Sequence, residues 1–154
     1  MTSFFFSGRK KFSELSEQEV LALAISSEED DARIYRNWAA FLRTDYAATA
    51  AIFDGMAAEE DGHRQQLIAA HLARFGEAIP LIRREHVAGY YHRRPAWMMQ
   101  NLSLDTIRAE AAVMERAAAE FYAMPPNAAA MRQRASCWVI WPPPSRATRP
   151  APKS

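Results

Sequence analysis

Four residues of this chain have the types and spacing to act together on a cation: Glu29, Glu60, His63 and Glu115. Glu60 and His63 stand three apart, so on a helix they share one face, a turn apart, and both reach one ion. In the run Phe53, Met56, Glu60, His63, Leu67, Ala70 the spacings are 3, 4, 3, 4, 3, the seam of a packed helix. A carboxylate and an imidazole on such a stripe are costly unless paired or bound to metal. Glu29 shares a stripe with Ala22, Ile25, Ala32 and Arg36, and Glu115 shares one with Arg108, Ala111, Ala118 and Tyr122. The alanines beside both acids leave room for an ion. Carboxylate oxygens and imidazole suit iron, with manganese as the alternative, better than thiolate-preferring metals. Tyr35 and Tyr122 are placed to hydrogen-bond the ligand carboxylates.

The bland readings compete residue by residue. Glu28-Glu29-Asp30-Asp31 alone is a solvated acidic face, and the Ile25–Ala32 stripe turns only Glu29 inward. A lone His63 is a core histidine; Glu60 one turn before it, with Glu29 and Glu115 on matching stripes, favours metal. His71, His86 and His92 read as surface residues, and Arg83, Arg84, Arg93 and Arg94 as a solvated basic patch.

Three long helices are needed to hold these side chains. Ser16-Glu17-Gln18-Glu19 is a capping box that opens a helix running to about Arg43. After the turn Thr44-Asp45, a second runs from about Tyr46 to Phe75, with Gly76 as its C-terminal cap. So short a turn makes the two antiparallel. Residues 77–102, with Pro80 and Pro95, read as a long crossover holding one short helix near 83–91. Ser103 or Asp105 caps a third helix, about 105–124, which Pro125-Pro126 ends. The expected class is all-α. An N-terminal tail spans 1–12, a helical domain 13–124, and an irregular Pro-rich tail 125–154.

Glu29 and Glu115 stand 86 residues apart, each with Ala three residues on and an aromatic shortly after. This weak repeat predicts a duplicated hairpin with a second Glu-x-x-His near residue 146, where the sequence has none. Net charge is +1, which gives no global field for nucleic acid or an anionic membrane. The single Cys137 excludes an intramolecular disulfide and a cysteine cluster, and suits a reducing cytoplasm. The apolar start before Arg9-Lys10-Lys11 is too short for a secretory signal.

The segments EEDDARIYRNWA, IFDGMAAEEDGHRQQL and MERAAAEFY resemble the ligand helices of the rubrerythrin branch of ferritin-like proteins. FGEAIPLIRREHVAGYYHRRPAW resembles more narrowly the ferritin-like half of membrane-bound ferritin, the erythrin–vacuolar iron transporter fusion. The resemblance covers about residues 12–124. It implies an antiparallel ferritin-like bundle with a long crossover, and a di-iron centre ligated by Glu29, Glu60, His63 and Glu115. It implies partners of ferrous iron and oxygen or peroxide, ferroxidase- or peroxidase-like activity, and a role in iron homeostasis, which is export in the full-length family through a membrane domain. No Cys-x-x-Cys for a rubredoxin-like iron is present.

After Met124 the family pattern stops, so the fourth helix is expected to be missing or degenerate and the site incomplete. One ion per monomer is then expected, with a homodimer as the alternative way to complete a centre. Back-translated with GC-rich codons and read in the third frame, residues 135–148 give KLLGDLAAAEPRHA, a helix-like string carrying E-x-x-H. The expectation is a frameshifted reading frame, which resequencing tests. The competing reading is a non-catalytic interaction module or an inactive fragment.

Overall fold

A computed structural model describes residues 9–88, 96–99 and 101–123. The expectations for Tyr90, Tyr91, His92, Arg93, Arg94 and Cys137, and for the C-terminal tail and its break, lie outside the described residues. So does the side chain of Tyr122. Helix α1 spans Glu17–Leu42, α2 Ala47–Phe75 and α3 Leu104–Ala123. Each lies within two residues of its sequence expectation.

The termini have local causes. Ser16 Oγ accepts from the Glu19 amide while the Glu19 carboxylate accepts from the Ser16 amide, so two orphan donors of α1 are satisfied. Gly76 ends α2 at φ +81°, the left-handed region that favours glycine, and its amide donates to the Leu72 carbonyl. Lys10–Lys11, read above as tail, form a strand, β1, that pairs in parallel with β2, Val87–Ala88. Lys10 Nζ also meets the Glu19 carboxylate at 2.8 Å and holds its pKa below the usual carboxylate range.

α1 and α2 form the antiparallel hairpin. The inward stripe of α1 is Ala24, Glu28, Asp31, Tyr35, Trp38, Leu42, at spacings 4, 3, 4, 3, 4. That of α2 carries Ala50, Phe53, Ala57, Glu60, Leu67 and His71. Both are heptad-type seams, so the two helices meet along their whole length. Against one end of the hairpin, α3 lays Ile107, Ala111 and Met114 beside Tyr35, Trp38 and Phe53. Trp38 is fully buried, and its Nε1 donates to the Met99 carbonyl at 2.7 Å, so its one polar atom is satisfied. At the other end Leu15, Leu23, Ile25, Leu67 and Val87 form a second apolar cluster.

The crossover runs alongside α1 in the same direction. Gln18 Nε2 donates to the Ala78 carbonyl and Ser26 Oγ to the Ile82 carbonyl. Arg83 meets Asp30 and Arg84 meets Asp31. Extended backbone rises about 3.3 Å per residue and helix about 1.5 Å, so a short extended segment keeps pace with twice its number of helical residues. The short helix expected near 83–91 is one 3-10 turn, Arg84–His86, followed by β2. A further 3-10 turn at Ala96–Met99 had no sequence signal.

Two surface expectations are corrected. Arg84 is buried: its guanidinium donates to Ser27 Oγ at 3.1 Å, to the Ser27 carbonyl at 2.8 Å and to Asp31 Oδ1 at 2.9 Å. His71 is also fully buried, with Nδ1 at 3.0 Å from the Gly76 carbonyl. A histidine one turn from its helix end can satisfy a C-terminal carbonyl, which makes burial there tolerable. Arg83 and His86 remain at least partly solvated.

Candidate metal centre

Between the two apolar clusters the hairpin carries a polar layer of Ser27, Glu28, Asp31, Glu60 and Arg84, all buried. Asp31 belongs to Arg84. Glu28 and Glu60 converge instead on His63, which reaches them from the flank of the α2 stripe. His63 Nδ1 lies 3.4 Å from Glu60 Oε2 and 3.7 Å from Glu28 Oε2. The side chains are 3% exposed for Glu28, 2% for Glu60 and 12% for His63. One ligand atom from each lies within 4.8 Å of the others.

Helix geometry explains the convergence. Glu60 and His63 are one turn apart on α2, as their spacing required. Glu28 comes from α1 at the level where the antiparallel seams face each other. Two carboxylates taken almost wholly out of water repel each other and lose their hydration. A divalent cation coordinated by both oxygens and the imidazole relieves both costs, and the all-oxygen-and-nitrogen donor set fits iron or manganese. The residues present therefore fit such an ion.

The structure brings together two of the four expected ligands, Glu60 and His63. Glu28, not Glu29, is the α1 acid that lies beside them. The large residues Tyr35, Trp38 and Leu42 set the phase of the helix, and they lie on the stripe of Glu28. Weighting alanines and Ile25 equally with them rotated the sequence reading by one residue, about 100° around the helix. The Glu29 side chain is 44% exposed and pairs with Arg33 at 3.4 Å. The signal that finds Glu28 is its spacing of seven from Tyr35, two full turns on one face.

Glu115 is half-buried on α3, beside the buried stripe of Ile107, Ala111, Met114 and Ala117. It does not join the three-residue group. Its Oε1 accepts a 2.8 Å hydrogen bond from the Tyr35 hydroxyl, so an α1 tyrosine on the Glu28 stripe fixes the acid of the third helix. Tyr35 is itself fixed by stacking on Phe53 at 6.0 Å and by Trp38 at the same distance.

Three long helices with an antiparallel first pair, and a buried acid–acid–histidine group in that pair, define a helical carboxylate-bundle protein. The family model for Rubrerythrin matches residues 19–136, and the chain belongs to the rubrerythrin family. The match passes Met124, where the sequence reading placed the end of the resemblance. Neither a curated protein nor a solved structure matches the chain. No helix among the described residues is long and apolar enough to cross a membrane.

Proposed function

We propose that the chain binds iron at Glu28, Glu60 and His63 and acts on ferrous iron as a substrate, with oxygen or peroxide as the electron acceptor. The observation that carries this is the burial of two carboxylates from facing helices around one imidazole. Bound iron supplies one-electron chemistry toward the oxidant. The protein's own residues do the rest. Glu28 and Glu60 contribute negative charge from opposite sides, and His63 contributes a neutral nitrogen that fixes the direction of approach. The apolar clusters above and below exclude water and so strengthen the electrostatic hold. Tyr35 keeps Glu115 oriented as the acid for a second ion, which is the di-iron arrangement of the family. A cytoplasmic place in iron homeostasis, with export through a membrane partner, is the corresponding physiological proposal, and manganese is the alternative metal.

Anaerobic titration with ferrous iron tests the site. The first and tightest equivalent is expected at the three-residue group, ahead of any ion at Glu115. Glu28→Gln and Glu60→Gln are each expected to weaken binding by at least about tenfold, roughly 1.4 kcal/mol. Glu29→Gln is expected to leave it within about twofold, since exposed pairs contribute little. Equal losses for Glu28→Gln and Glu29→Gln would refute the assignment.

A further inference from the structure

On its outer flank the α1–α2 hairpin opens a cleft of about 250 Å³ lined by Glu29, Arg33, Arg36, Asn37, Asp61 and Arg64. Two of its three arginines are paired. Arg33 meets Glu29, and Arg36 meets Asp61. Arg64 makes neither a hydrogen bond nor an ion pair within the described residues, and its Nε is buried without a partner.

Arg64 stands four after Glu60 and three before Leu67 on α2 and is half-buried at the edge of that stripe. An unsatisfied buried donor is costly. A guanidinium fork matches two oxygens of one oxyanion, and this pairing is among the stronger hydrogen-bonded contacts. The lining holds three cationic and two anionic side chains, so it carries net positive charge. The Asn37 amide adds a neutral donor. The Arg33 and Arg36 pairs are largely exposed on the arginine side, and such pairs hold their partners weakly.

We infer that this cleft is a binding site for a small oxyanion of the phosphate class, with Arg64 as its central ligand and Asn37, Arg33 and Arg36 around it. The inference is independent of the metal reading.

The test is titration of the full chain with inorganic phosphate, followed by backbone amide shifts of residues 29–37 and 61–64. Sodium chloride at matched ionic strength is the control. Saturable shifts with phosphate and none with chloride are expected. Arg64→Met is expected to weaken binding at least tenfold, with Arg64→Lys intermediate because it keeps charge and loses the fork. Asp61→Asn removes a competing carboxylate and is expected to tighten binding, an outcome that a misfolded variant cannot mimic. Phosphate affinity unchanged in Arg64→Met, no tightening in Asp61→Asn, or equal shifts with chloride would each overturn the site.

Discussion

The exchange of Glu28 for Glu29 shows how narrow the margin is at the scale of single residues. One position on a helix is about 100°, enough to move a carboxylate from 3% to 44% exposure. The Glu-x-x-His pair was legible because its meaning depends only on a spacing within one helix. Glu28 was less so, because its direction depends on which neighbours pack, and small residues carry little weight in that choice. Tyr35 was legible as an aromatic near the acids; its bond to Glu115 spans two helices and has no local signature. Tyr35→Phe removes that hydroxyl and leaves the ring in place. The expected loss of stability is about 1 kcal/mol, read from denaturant midpoints, because the Glu115 carboxylate loses a donor while packing survives. The iron binding proposed for Glu28, Glu60 and His63 is expected to persist in the same variant.

The helices and their ends were readable from the chain because capping boxes, a terminal glycine and apolar spacing are local devices. The docking of the crossover on α1 was not. Nothing in Arg83-Arg84 distinguishes a solvated pair from a docked one, since the partners, Asp30 and Asp31, lie far away in sequence. In the folded chain Arg84 joins the crossover to the turn of α1 that carries Glu28. Arg84→Met takes the guanidinium away from buried Asp31, and a broken buried pair costs about 3–5 kcal/mol. The double variant Arg84→Met/Asp31→Leu removes both charges and is expected to recover most of that loss. Thermal or urea unfolding of the two single variants and the double variant checks the coupling. Additive losses would show that the pair does not hold the crossover.

For the molecule as a whole, the polar layer divides one core into two. Ile34, Trp38 and Phe53 belong to one side, Leu23, Ile25 and Leu67 to the other. A fold shaped for stability alone has no reason to interrupt its hairpin with two acids. The double variant Glu28→Gln/Glu60→Gln, measured without metal, is therefore expected to be more stable than the natural chain by roughly 0.5–2 kcal/mol. It should also lose the stabilisation expected of ferrous or manganous ions in the natural chain. A double variant that is less stable without metal and still gains from metal would contradict that trade. The pairing of β1 with β2 has another consequence, in the order of events during synthesis. Lys10 leaves the ribosome long before Val87, its partner. At roughly 5–20 residues per second the wait lasts several seconds. The α1–α2 hairpin has emerged by then, so β1 finds its place only after the hairpin beside it has been made.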